Sequence, residues 1–293
     1  MKEMTKKWIV RLSGGIGNQL FMYAFAKYIE SVCHKDVYMD CMSYRRSNLR
    51  KPEILSIFPS IKRHDLFLND VALRGGVKYV MSCLMKLLSH YTIYDTGDAG
   101  CVDIKDLCGD KEIYFTGFHQ TGVYVDWLKK NNLFADIFAP RQDVPDIIKF
   151  ILNEISLSEN PVSVHVRRGD YVEAWARDKY LVCTSGYYQE AIRKLQRGNV
   201  RFFVFSDDVD WVRKNIPLPD NTFFVTDACE VNTYWYIWLM SKCKHNIISN
   251  STFSWWGAYL NENKEKIVVA PSLWQRGTEF TLNQEGWVVI DVK

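Results

Sequence analysis

From Pro161 onward the chain alternates short β-branched apolar runs with amphipathic stretches, and that alternation leaves few folds open. Strand-like residues 162–166 precede a helical 186–196; 201–205 precede 209–215; 222–225 precede 231–243; 246–249 precede 252–261; 267–270 form a fifth strand. Strands that alternate with helices over short connections build a parallel sheet covered on both faces. The first half opens the same way. Residues 8–12 read as a strand, Ser13-Gly14-Gly15-Ile16-Gly17 as a tight turn, and a helix starts at Asn18. Its apolar face carries Leu20, Phe21, Tyr23, Ala24, Tyr28 and Ile29, and residues 37–40 form the next strand.

Between these halves the pattern is less regular. Residues 43–62 are basic and irregular, 77–88 suit an amphipathic helix with a Met-rich core face, and 113–116 form a strand. His119 follows in a turn, either facing a ligand or held as a satisfied structural residue. Residues 123–131 and 147–155 are helical, and Ser158-Glu159-Asn160-Pro161 marks a junction. With 293 residues the chain is long enough for two domains, here expected at 1–158 and 159–293.

Composition narrows the function. The net charge of +3 is too small to argue for nucleic acid. The eight cysteines are scattered without C-x-x-C or zinc-like spacing, as in reduced, buried thiols of a cytoplasmic protein. Residues 1–7 are polar and lack a signal-peptide core, and no apolar run approaches the roughly 18 residues of a membrane span. The opening unit also fails the dinucleotide fingerprint G-x-G-x-x-G, because Leu20 stands at the third glycine position. That argues against an oxidoreductase.

Three expected strand ends carry polar clusters: Arg167-Arg168-Gly169-Asp170, Ser206-Asp207-Asp208, and Ser249-Asn250-Ser251-Thr252. Adjacent parallel strands bring such clusters to one edge, where ligands of open α/β sheets sit. Arginines suit bidentate contact with phosphate oxygens, and hydroxyls at a helix start suit both capping and phosphate binding. Asp208-Val209-Asp210 also matches the metal-binding D-x-D of some sugar transferases, although acidic residues favour a helix start in any case.

Four motifs, G-G-I-G-N-Q-L-F (14–21), H-V-R-R-G-D-Y (165–171), F-S-D-D (205–208) and S-N-S-T-F-S-W-W-G-A-Y-L (249–260), together resemble the α-1,2-fucosyltransferases, glycosyltransferase family eleven. They occur in the family's order across nearly the whole chain. The resemblance implies an α/β GT-B architecture of two Rossmann-like domains with a cleft, the first on the acceptor side and the second holding the donor. It implies GDP-β-L-fucose as donor, a β-galactoside glycan as acceptor, inversion at the fucose C1 and no obligatory metal or other cofactor. A lipid-linked acceptor would bring the chain to the inner membrane face as a peripheral protein. Arg167, Arg168, Asp207, Asn250, Ser251, Thr252 and Ser254 match the family's donor side, as do Gly17 and Asn18 in the first half. Asp170, His165 and Glu173 are alternatives for the general base, and Arg168 would stabilise the leaving diphosphate. Tyr236 departs from the family, standing where an acidic residue would read guanine; Asp207, Asp227 or Glu230 could replace it. Two competing readings are a fucosyltransferase of another linkage, α-1,6 or protein-O, and a non-catalytic nucleotide- or glycan-binding protein.

Overall fold

A computed structural model describes residues 7–45, 50–65, 91–97, 100–102, 107, 112–140, 142–174, 176, 180–226 and 231–292. The chain divides into two units, Met1–Gln142 and Asp143–Lys293. The division therefore falls before the helix at Asp146–Ser156, not at the expected junction around Ser158. That helix packs with the second unit: Glu154 pairs with Arg201 at 3.0 Å, and Phe150 lies 6.4 Å from Phe223.

The first unit contains β1 (Trp8–Arg11), α1 (Ile16–Cys33), β2 (Val37–Asp40), α2 (Ile54–Ile57), β3 (Tyr91–Asp95), β4 (Glu112–Thr116), α3 (Gly122–Lys130) and α4 (Phe134–Phe138). Its sheet has the order β2-β1-β4-β3, all parallel. The helix α1 begins at Ile16, earlier than the expected Asn18. Gly14 takes a left-handed φ of +74°, so the chain has already turned and Gly15 is the N-cap. The stretch at 43–62 holds α2, and the helix expected at 77–88 lies outside the described residues.

The second unit contains α5 (Asp146–Ser156), β5 (Asn160–Val166), a 3-10 turn at Gly169–Val172, α6 (Ser185–Leu195), β6 (Val200–Ser206), α7 (Val209–Asn215) and β7 (Phe223–Val225). Then come α8 (Tyr234–Lys242), β8 (His245–Ile247), α9 (Thr252–Tyr259), β9 (Val268–Pro271) and β10 (Val288–Ile290). The strand order is β10-β9-β8-β5-β6-β7, again all parallel. Counted from β5, this is the 3-2-1-4-5-6 order of Rossmann sheets. Two α/β units of parallel sheet are the GT-B class that the resemblance implied.

The second sheet is buried because its central strands read as continuous apolar runs. Val162, Val164, Phe202, Val204 and Ile247 are fully buried. Asn246, also fully buried, ties the layers together: its amide donates to Ser163 Oγ at 2.7 Å and Met240 O at 2.8 Å, and Asn261 donates to its oxygen at 2.8 Å. The described cysteines are all free; Cys41, Cys183 and Cys243 are buried, whereas Cys101 is exposed and Cys33 half-buried. No helix among the described residues is long and apolar enough to cross a membrane.

The helices α8 and α9 meet at Gly257, where a Cβ would stand 2.7 Å from Met240 Cβ. Gly257→Ala must push the helices apart, and overpacking of this kind costs about 1–3 kcal/mol. Gly186→Ala in α6 meets only Thr184 Oγ1 at 3.6 Å and serves as a neutral control. Urea unfolding should show a clear loss for the first variant and none for the second.

Candidate active site

A Rossmann sheet places its ligand where the strand order reverses, beyond the carboxyl ends of the strands. Here that point lies between β5 and β8. Register sets Val164 beside Ile247 and Val166 beside Ser206, so the chain leaves β5, β6 and β8 at one edge. The three polar clusters expected to converge do so.

The arginines are held by carboxylates. Arg167 reaches Asp207 Oδ2 through Nη1 at 2.6 Å and Asp170 Oδ1 through Nη2. Its guanidinium lies 5.4 Å from the Tyr171 ring centroid. Asp207 also accepts from the Arg168 backbone N–H at 2.8 Å. Arg168 donates from Nε to Asp208 Oδ2 at 3.0 Å and lies 4.0 Å over Trp211. Its terminal nitrogens make no hydrogen bond among the described residues. Asp208 uses its other oxygen to cap α7, accepting from Trp211 N at 3.1 Å. The D-x-D pattern is thus a helix cap and arginine partner at Asp208, with Asp210 exposed in the first turn. Gly169 has a reason beyond turning: a Cβ there would meet Asp207 Oδ2 at 2.6 Å.

His165 is buried, and its Nδ1 pairs with Ser249 Oγ at 2.9 Å. Burial, helped by the Arg167 charge, pushes its pKa down to about 3. It is a neutral tie between β5 and the turn after β8. Asp170 is half-buried beside Arg167, and Glu173 is exposed beyond the 3-10 turn.

The third cluster divides by role. Asn250 gives both amide protons to carbonyls, of Leu181 at 2.7 Å and Trp274 at 3.0 Å. Ser254 is fully buried, with Ser249 and Ser251 as partners. These two side chains therefore build the loop, where the sequence had placed them on the ligand. Ser251 caps α9 by accepting from Phe253 N at 3.3 Å, and Thr252 is half-buried in the first turn. Tyr236 is buried in α8; Asp227 and Glu230 lie outside the described residues. Both Asp207 oxygens are engaged by the arginine pair.

In the first unit, Gly17 and Asn18 lie in the opening turn of α1. The next residue, Gln19, is fully buried and clamps the glycine turn. Its amide donates to Gly14 O at 3.1 Å and Lys51 O at 2.8 Å, and accepts from Ile54 N at 3.0 Å. Sequence reasoning missed Trp211 and this clamp. Trp211 meets Arg168 from 43 residues away, and Gln19 meets Lys51 and Ile54 more than 30 residues on, so neither contact leaves a local signal.

Comparison with protein families matches residues 103–291 to glycosyl transferase family 11. The chain belongs to glycosyl transferase family 11. It is 32% identical over 301 residues to an alpha-1,2-colitosyltransferase of Escherichia coli, covering 97% of this chain and 98% of that one. It is 36% identical over 104 residues to galactoside alpha-(1,2)-fucosyltransferase 1 of Saimiri boliviensis boliviensis, covering 34% of this chain and 28% of the relative. The fold is similar to that of the NodZ alpha-1,6-fucosyltransferase co-crystallised with GDP, with a TM-score of 0.54 and 15% identity, covering 88% of this chain and 93% of NodZ.

This family 11 glycosyltransferase carries two histidines that folding keeps neutral. Burial pushes His119, like His165, down to about 3 from the ordinary value of 6.5. The unfolded chain takes up protons below pH 6.5 that the folded chain refuses, so stability falls as pH drops from there toward 3. Each histidine contributes about 1.4 kcal/mol per pH unit within that window. Urea midpoints measured from pH 8 downward should be level at first and decline below about 6.5. A midpoint unchanged down to about pH 5 would contradict this.

Proposed function

We propose that this glycosyltransferase moves L-fucose from GDP-β-L-fucose to the 2-hydroxyl of a terminal β-galactoside, with inversion at C1. The observation that carries the reading is the Arg167–Arg168 pair beside the start of α9, at the strand-order reversal of the second sheet. The leaving diphosphate gains negative charge as the bond to C1 breaks. Fixed cationic groups and the positive end of a helix dipole stabilise it without reorganising. Attack by the acceptor oxygen from the opposite side turns a β-linked donor into an α-linked product. The galactoside alpha-(1,2)-fucosyltransferase relative supports the acceptor and linkage.

The acceptor hydroxyl must lose its proton. His165 is buried, and its Nδ1 is already engaged by Ser249 Oγ at 2.9 Å. Glu173 is exposed. Asp170 combines a carboxylate with a half-buried place beside the arginines, and we assign it the base.

The colitosyltransferase relative supports a second reading. Colitose is L-fucose without its 3-hydroxyl, so the same linkage chemistry serves either sugar. Incubation with GDP-fucose and with GDP-colitose, over a panel of β-galactosides, separates the two. The expected product is an α-1,2-fucosyl galactoside. An α-1,6 product, or GDP binding with no turnover of either donor, would overturn the proposal.

Two further outcomes are expected. Arg168→Ala should lower transfer about 100- to 1,000-fold with an unchanged circular dichroism spectrum, as for loss of a transition-state donor. Chelator should leave the rate unchanged, because the arginines and α9 supply the positive charge. Activity lost to chelator and restored by manganese would instead move Asp208 and Asp210 to the centre of the mechanism.

A further inference from the structure

The start of α7 holds the Arg168 guanidinium on two sides. Its Nε donates to Asp208 Oδ2 at 3.0 Å, and its Cζ lies 4.0 Å from the Trp211 ring centroid. The same carboxylate anchors the residue that bears the ring. Asp208 Oδ1 accepts from Trp211 N at 3.1 Å, and Asp208 N donates to Ser206 Oγ at 2.9 Å. Arg168, Asp208 and Trp211 therefore close a triangle within the second unit. The indole is half-buried and packs against the core of the second sheet, so the surface beneath the arginine is fixed.

The triangle leaves one edge of the guanidinium open. An arginine carries five N–H donors. The Arg168 side chain is only 19% exposed, yet it gives one of them to a protein acceptor. Its two terminal nitrogens make no hydrogen bond among the described residues. Neither is sealed in the interior, where the unpartnered side-chain nitrogens are Arg11 Nε and His119 Nε2. Arg167 differs, because Nη1 is taken by Asp207 and Nη2 by Asp170. Two N–H groups in a rigid fork match two oxygens of one phosphate. An indole face suits this task for a physical reason. It attracts the cation through its quadrupole and carries no net charge, so it restrains Arg168 without neutralising it. A side chain already restrained loses less freedom when a ligand binds.

We propose that Trp211 is a positioning residue. Its indole face, with Asp208 at the edge, fixes the Arg168 guanidinium so that the two terminal nitrogens meet one phosphate of a nucleoside diphosphate. This rests on the reading that the site takes a nucleotide-activated sugar.

The test is a mutant cycle between positions 211 and 168. It is read as GDP affinity by calorimetry, and as kcat with whichever nucleotide sugar the wild type turns over. Trp211→Leu changes no charge. It should weaken GDP binding about tenfold and lower kcat about 10- to 100-fold, with the acceptor KM unchanged. Trp211→Phe keeps an aromatic face and should stay within about threefold of the wild type. In an Arg168→Ala background Trp211→Leu should cost less than about twofold, because its effect passes through the arginine. The Arg168 Nε–H signal in NMR, identified by its loss in Arg168→Ala, gives a reading without any nucleotide. It should relax as a rigid group in the wild type and as a mobile one in Trp211→Leu. Urea midpoints are measured for every variant, and Trp211→Met takes the place of Trp211→Leu if the latter does not fold. Equal losses in both backgrounds, a phenylalanine variant as weak as the leucine one, or unchanged Nε–H relaxation would each overturn the inference and leave the transfer reading standing. A wild type that binds GDP but transfers no sugar overturns the transfer reading alone, and the affinity cycle still decides the role of Trp211. A wild type that does not bind GDP overturns both.

Discussion

The Asp207 carboxylate is the contact on which the second unit's site depends. One oxygen takes the Arg167 side chain and the other the Arg168 backbone N–H, so a single group from the end of β6 sets both arginines leaving β5. Two cationic side chains on successive residues repel one another. Counter-charges are needed to hold the pair together, and Asp207, Asp170 and Asp208 supply them. Gly169 leaves the carboxylate its space.

That contact in turn needs a rigid floor. The neutral His165 links β5 to Ser249, and Tyr188 donates to the His165 carbonyl at 3.2 Å from α6. Asn250 binds the loop carbonyls, and Asn246 joins Ser163 to α8. Each of these buried polar groups is partnered, which gives one definite geometry in a low-dielectric interior. On the proposed reading the residues that touch a ligand are few: the arginines, Asp170 and the half-buried Thr252 at the start of α9. Most of the polar residues in the motifs hold those few in place.

Much of this was legible in the sequence, for reasons that can be named. The parallel sheet followed from alternation of apolar runs with helical ones, and convergence of the three clusters followed from strand adjacency. β10 was missed because Val288–Ile290 is only three residues long and follows a long polar stretch. β3 was missed because Tyr91–Asp95 is an edge strand of mixed polarity, paired with β4 alone. The domain boundary was misplaced because α5 is amphipathic and either unit could have covered it; the Phe150 and Glu154 contacts assign it to the second. In the site, residue type suggested ligands where burial shows scaffolding, at Asn250 and Ser254. A hydroxyl or amide beside a helix start looks the same in sequence whether it faces a phosphate or a carbonyl. Partners more than a hundred residues away, as for Asn18 and Gln120, leave no local trace.

The central claim is that the nucleotide diphosphate binds at the carboxyl edge of the second sheet, between the arginine turn and the start of α9. Amide hydrogen exchange with and without GDP tests it most directly. The account predicts slower exchange within residues 167–172 and 250–254, as a diphosphate takes up N–H groups and quiets both turns. GDP that binds while leaving both segments as exchangeable as before would contradict it.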